Sequence, residues 1–202
     1  MWQRCSQLNW ALNGRVEMRE NRGDITNSLV HLTKECGGSS ALEVLCQILS
    51  DGKLVGSSKS GFIKGPNPAV CFTETPLSSL KHFASKSKDN DDARYRFYGV
   101  ALNKEAAFKQ GARPVIYLPD SEADWIPTQQ KWRHVRFEYG KVDWTYEREW
   151  RKRGDFDLAD LPGLYVICWH SNEIEKLKKS MSKKVAKKVR GFLPMLHLNQ
   201  ML

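Results

Sequence analysis

Apolar residues in this chain come in short bursts separated by polar stretches that contain Gly, Pro or Ser. In "SLVHLTK", from Ser28, Val30 and Leu32 alternate with His31 and Thr33, the period of a strand. "ECGGSS" ends it. In "ALEVLCQILSDG", Leu42, Leu45, Cys46 and Leu49 recur at helical spacing, with Ser40 placed to cap the helix and Gly52 to close it. "KLVGSSKSGFIKGPNP" has neither period and reads as a loop. "AVCFTETPL" is a strand stopped by Pro76, and "SSLKHFASK" a short helix before the charged loop "SKDNDDAR". "RFYGVALN" is a strand, "KEAAFKQG" a helix ended by Gly111, "RPVIYLP" a strand, and "LYVICWH" a late strand. "WRHVRFEYGKVDW" fits no single type. Strands follow one another without regular long helices between them, which argues against a doubly wound parallel sheet.

Two stretches stand apart. "WTYEREWRKR", residues 144–153, reads as strand because Trp144, Tyr146 and Trp150 suit a pleated, half-buried surface. Strand alternation sets Glu147 and Glu149 on one face, with Arg148 and Trp150 on the other. The tail "SNEIEKLKKSMSKKVAKKVRG" has a helical stripe of Ile174, Leu177, Met181, Val185 and Val189, capped by Ser171 or Asn172. From Glu173 to Arg190 it carries eight basic residues against two acidic ones. The pattern divides the chain into an extension (1–27), a domain (28–170) and a basic C-terminal helix and tail (171–202).

Composition sharpens this picture. A net charge of +9 over 202 residues favours phosphate-rich or acidic partners. Arg151, Arg153, Lys179, Lys183 and Lys187 are the cations placed to meet nucleic acid; the same tail also reads as a surface helix whose lysines simply face water. Five scattered cysteines without a CxxC pair argue against a disulfide framework and suit a reducing cytoplasm. No apolar run has the length of a membrane span or a signal-peptide core, so a membrane partner is not expected.

His31, His82, His134, His170 and His197 form no HxxxH or HExxH pattern, and no metal site is expected. GxxxxGK[ST], GxGxxG and GxSxG are absent. The carboxylate pair Glu147/Glu149 remains, set among Arg148, Arg151, Lys152 and Arg153. Such a pair either guards an edge strand as solvated charge or stabilises a developing cation. Trp125, Trp132 and Trp144 either fill the core or offer stacking surfaces for bases.

In order and spacing, "SLVHLTK", "LSDGKL", "PAVCFTETPLSSL", "YGVALNKEAAFKQGARPVIYLP" and "YEREWR" resemble the ADP-ribosyltransferase-fold toxins and abortive-infection proteins of bacteria, of DarT-like or CmdT-like type. The resemblance spans about residues 28–153. It implies an α+β fold with a split, mixed or antiparallel sheet, and NAD as co-substrate without a metal. It implies that Glu149 bonds the NAD ribose 2′-hydroxyl and steadies the oxocarbenium-like charge, and that Glu147 orients or deprotonates the acceptor. It also implies that His31, with Thr33 on the same face, holds NAD through its ribose and phosphate side, and that Phe72 and Thr73 wall the nicotinamide pocket. The serine-threonine-serine or tyrosine of other members is missing at "CFTET". Arg113 is a candidate phosphate contact, and residues 53–68 form either a covering loop or a plain connector. The resemblance further implies a nucleic-acid acceptor, RNA over DNA, in antiphage defence, with an antitoxin and a chaperone as partners. A protein-directed transferase and a non-catalytic RNA- or partner-binding module are the alternatives.

Overall fold

The first expected strand forms as β1, Ser28–Leu32, and the capped helix as α1, Ala41–Asp51. The computed structural model describes residues 26–58, 62–82, 84–85 and 95–197. Residues 1–25 of the expected extension, 59–61, 83, 86–94 with the expected charged loop, and 198–202 of the expected tail lie outside the described residues. Next in the chain come β2 (Lys53–Leu54), β3 (Ala69–Thr73), β4 (Ala84–Ser85), β5 (Tyr95–Arg96) and β6 (Gly99–Asn103). Then follow α2 (Lys104–Lys109), β7 (Arg113–Pro114), β8 (Ile116–Leu118) and β9 (His134–Arg136). The chain continues through β10 (Glu149–Arg153), β11 (Phe156–Asp157), β12 (Leu164–Cys168), α3 (Ile174–Ser180), α4 (Lys183–Ala186) and β13 (Val189–Pro194).

Seven strands make one sheet in the order β13-β12-β6-β1-β3-β10-β7. Its neighbours are antiparallel except β12 and β13, which run parallel. The protein is therefore a mixed α/β structure with a mostly antiparallel central sheet. β6, "GVALN", reads as an unbroken apolar run because both of its faces are covered. On one face Leu29, Phe72, Val100 and Val166 pack with Leu45 and Leu49 of α1. On the other, Val30, Leu32, Ala101 and Ile167 pack with Leu80, Phe97 and Met195. Leu45 and Leu49 are fully buried, each contributing about 1.5–3 kcal/mol of apolar transfer. Ser40 and Glu43 form a reciprocal capping box at the start of α1, and Gly52 closes it in the left-handed region, as the spacing predicts.

Several expectations are corrected. The C-terminal basic segment is not one helix: α3 and α4 are separate, and Val189, the end of the expected stripe, begins β13. The break lies at Met181–Ser182, where the Ser182 N–H donates to the Leu49 carbonyl at the end of α1, 3.1 Å away. That carbonyl has no partner within its own helix, so the tail turns to satisfy it. Leu177 and Val185 are nonetheless buried against the α1 face, as a core-packed stripe requires. The "RPVIYLP" strand is divided: β7 pairs with β10, while β8 pairs in parallel with β9. The "SSLKHFASK" segment forms a 3-10 turn, Leu77–His82, before β4. Part of the expected loop 53–68 is ordered, since β2 pairs with β11 and Ser57 bridges to Ala69. Among the described residues no helix is long and apolar enough to cross a membrane.

Candidate active site

β1 and β6 pair at five consecutive positions, but β1 and β3 meet at one register pair, Val30 with Thr73. The sheet is split there, and His31 stands in the split. Its Nδ1–H donates to the Cys71 carbonyl of β3 at 2.8 Å, so a ring supplies the link that a backbone ladder would give. A carbonyl only accepts, so Nδ1 carries the proton and Nε2 keeps its lone pair. Burial holds the ring's pKa below its ordinary 6.5, against the opposing pull of the Cys71 bond. His31 is thus a neutral acceptor at pH 7.

The folded ring binds a proton less readily than the unfolded one, so acid favours the unfolded chain. This site's contribution is complete above about pH 6.5 and is lost as pH falls below it. Unfolding free energies of the wild type and His31→Gln are expected to converge as pH is lowered from 7 to 5. A gap that stays constant across that range would refute a neutral His31.

The "CFTET" segment acts as a clamp. Thr73 Oγ1 donates to the Glu147 carbonyl, and Thr75 Oγ1 to the Tyr146 carbonyl at 2.9 Å. Glu74 N–H donates to the Arg148 carbonyl at 3.2 Å. The Glu74 carboxylate faces elsewhere, accepting from Lys104 and from Trp150 Nε1. These bonds replace a ladder, so residues 145–147 form a 3-10 turn, and Arg148 takes φ 44° in the left-handed region. Such a conformation at a non-glycine residue costs about 1–3 kcal/mol. The continuous strand expected over 144–153 is therefore corrected: β10 begins at Glu149, opposite Thr73. Strand alternation does not relate Glu147 to Glu149; the turn does.

Glu149 is held at both ends. Its N–H donates to Tyr117 Oη at 2.9 Å. Its carboxylate accepts from Arg151 Nε at 2.8 Å and Nη2 at 3.1 Å. Glu147 is buried.

Two clefts meet at these carboxylates. The first, about 770 Å³, opens from the sheet split towards α1 and takes in His31, Thr33, Phe72, Thr73, Glu147 and Glu149. Lys34 and Lys53 lie on its wall. The second, about 700 Å³, is lined by Ile63, Val135, Val142 and Trp144, with Lys64 and Arg136 beside them. Phe62, Glu147 and Glu149 belong to both. Each volume is in the range of clefts that hold a small molecule.

His31 and both glutamates, named from sequence, thus share one cleft, with Phe72 and Thr73 on its wall. Phe72 is packed edge-on between His31 and Phe156. The Thr33 hydroxyl donates to the Ala41 and Tyr98 carbonyls, so its hydrogen ties β1 to α1. Arg151 is buried, paired with Glu149 on the wall of the second cleft rather than standing on the open surface. Arg153 is exposed on the same strand face, roughly 13 Å from Glu149 along β10. Lys179, Lys183 and Lys187 are exposed, but the helical break puts them on separate elements. Arg113 Nη1 donates to the Phe108 and Ala112 carbonyls at the end of α2. Of the three tryptophans considered, Trp132 is buried in the core, Trp125 lies on the surface, and Trp144 lines the second cleft.

Sequence reading missed Phe62, Lys64, Tyr117 and Arg136. Tyr117 sits in an apolar run, and nothing local marks its hydroxyl as a partner of a backbone 32 residues away. None of the four described cysteines is in a disulfide. No group of three His, Cys, Asp or Glu side chains that could hold a metal ion occurs among the described residues.

No family model and no curated protein matches the chain. Among solved structures it is similar to DarT of Thermus sp. 2.9 in complex with carba-NAD+. The likeness has 17% sequence identity and a TM-score of 0.45, and covers 83% of this chain and 94% of that one. A likeness of this size assigns neither family nor chemistry to the chain.

Proposed function

We propose that the chain is a mono-ADP-ribosyltransferase that moves ADP-ribose from NAD to nucleic acid, RNA in preference to DNA. The reading includes a role as a bacterial antiphage toxin acting in the cytoplasm, with an antitoxin and a chaperone as partners. Its main support is the placing of Glu147 and Glu149 where two clefts meet, one of which also holds His31. A transferase needs two substrates at one reacting centre, and two clefts sharing a pair of carboxylates offer that. The motif resemblance supports the choice of NAD, and the net charge of +9 supports the choice of nucleic acid.

In this reading NAD occupies the first cleft. Neutral His31 accepts a hydrogen bond from a ribose hydroxyl through Nε2, and Lys34 attracts the pyrophosphate, while Lys53 on the same wall is shared with Asp155. The bond between nicotinamide nitrogen and the ribose anomeric carbon breaks, its electron pair leaving with nicotinamide, and positive charge develops on the ribose. The Glu149 carboxylate accepts from the 2′-hydroxyl and stabilises that charge. A nucleophile of the acceptor in the second cleft attacks the anomeric carbon, and Glu147 takes its proton. Trp144 stacks on the acceptor base.

A protein acceptor is the second reading, because the cations of the second cleft are already paired. Lys64 bonds Asp120, and Arg136 bonds Glu138. Labelled NAD, purified protein and a cell extract decide between them when the product is divided among RNase, DNase and protease. Label removed by RNase alone is expected; label removed by protease alone would establish the second reading. Absence of label and of nicotinamide release would refute both. Trp144→Ala is expected to lower transfer about 10-fold more than it lowers nicotinamide release, the size of one lost base stack. Equal losses in the two assays would place Trp144 outside acceptor recognition.

A further inference from the structure

Glu149 borders both clefts, so an unconstrained side chain could turn its oxygens towards either one. Two groups prevent this. Arg151 grips both carboxylate oxygens with Nε and Nη2, at 2.8 and 3.1 Å. Its remaining nitrogen, Nη1, donates to the Trp132 carbonyl at 2.9 Å and the His134 carbonyl at 3.3 Å. The guanidinium plane is therefore fixed by the backbone leading into β9, and it fixes the carboxylate in turn. Strand alternation puts residues 149 and 151 on one face. Ion pairs of this kind on an exposed strand contribute little, but here the side chains are only 11% and 4% exposed. Tyr117 holds the other end of the residue by accepting the Glu149 N–H. It is carried by β8, which pairs with β9, so both restraints come from one supporting ladder.

We propose that Arg151 and Tyr117 are positioning residues for Glu149, setting which carboxylate lone pairs face the reacting ribose. The proposal rests on the NAD-cleaving reading above. Arg151 occupies two of the four lone-pair sites of the carboxylate, and those remaining are held in one orientation for the ribose hydroxyl. Lysine at 151 keeps a positive charge but lacks the planar fork, so the carboxylate regains rotamer freedom. A displacement near 1 Å at a reacting centre costs about 10²-fold in rate.

The test compares wild type, Arg151→Lys and Tyr117→Phe by steady-state nicotinamide release, calorimetric NAD binding and thermal unfolding. Arg151→Lys is expected to bind NAD as the wild type does while its kcat falls about 10²-fold with KM little changed. Tyr117→Phe, which keeps the ring and removes the acceptor, is expected to lower kcat in the same pattern by about 10-fold. A merely structural role would move the unfolding temperature and leave the kcat of the folded fraction intact. Wild-type kcat in a folded Arg151→Lys would overturn the assignment to Arg151. Should that variant not fold, Tyr117→Phe decides: its kcat at the wild-type value overturns the proposal, and a selective fall supports it. Lack of nicotinamide release by the wild type would refute the underlying NAD reading, a result distinct from active variants.

Discussion

Glu149→Gln is expected to lower nicotinamide release by about 10²–10³-fold, the usual loss when one group that stabilises developing charge is removed. Glutamine keeps the size of the side chain and one acceptor oxygen but loses the negative charge that steadies the ribose cation in the proposed reaction. The choice of glutamine follows from the structure. Arg151 is buried with Glu149 as its carboxylate partner, so Glu149→Ala leaves a guanidinium charge uncompensated. Breaking a buried pair in that way costs about 3–5 kcal/mol, and the alanine variant would confuse lost catalysis with lost folding. Glutamine also gives up the charge, and its NH2 cannot accept the second prong. Its amide oxygen keeps one of the two bonds to Arg151 and its side chain still fills the space, so folding suffers less than with alanine. The measurement is nicotinamide release by a variant whose circular dichroism and NAD binding match the wild type. Activity within a few-fold of wild type would end the assignment of Glu149. Glu147→Gln provides a contrast: it is expected to slow transfer to the acceptor more than hydrolysis of NAD, because its proposed partner is the acceptor's proton.

Gly99→Ala is expected to destabilise the protein by about 3 kcal/mol or more, the upper end of overpacking costs. For a chain of this length that lowers the unfolding temperature by about 6–12 °C. Gly99 lies in β6 opposite Leu32, and its backbone has no positive φ, so the demand is for space alone. A Cβ at this position would lie 2.0 Å from the His31 carbonyl oxygen and 3.0 Å from Leu32 Cα. Both are backbone or backbone-bound atoms that cannot swing aside. Relief requires β1 to move away from β6, and His31 moves with it out of the sheet split. The variant therefore links stability to the site: NAD binding is expected to weaken along with the melting temperature. A wild-type melt with unchanged amide-exchange protection of β1 would show that this close approach does not exist in solution.

The elements read correctly from sequence are those whose partners are local. α1 announces itself by Ser40, Glu43 and Gly52, all within two residues of its ends. β1, β3, β6 and β12 announce themselves by apolar runs bounded by breakers. Elements whose form depends on distant groups did not. Ser182 ends a helix-like stripe because the Leu49 carbonyl, far earlier in the chain, needs a donor. Residues 144–148 have the composition of a strand, yet hydroxyls from Thr73 and Thr75 take their carbonyls and curl them into a turn.

The candidate site divides along the same line. Sequence by itself marked the residue types: two glutamates two apart, a histidine on the first strand, and no motif of a metal or covalent enzyme. It fixed the capped helix and the strand alternation that sends Val30 and His31 to opposite sides, because caps and periods are properties of neighbouring residues. Only the tertiary structure decided that His31 bridges a split sheet, that Arg151 is a buried clamp rather than a surface cation, and that two clefts meet at Glu147 and Glu149. Those facts depend on which carbonyls and carboxylates lie unsatisfied at a given point in space, and the answering groups stand as far away in the chain as Thr73 from Glu147. A buried polar atom must find a partner wherever the fold brings one, and the local pattern of residues does not encode where that will be.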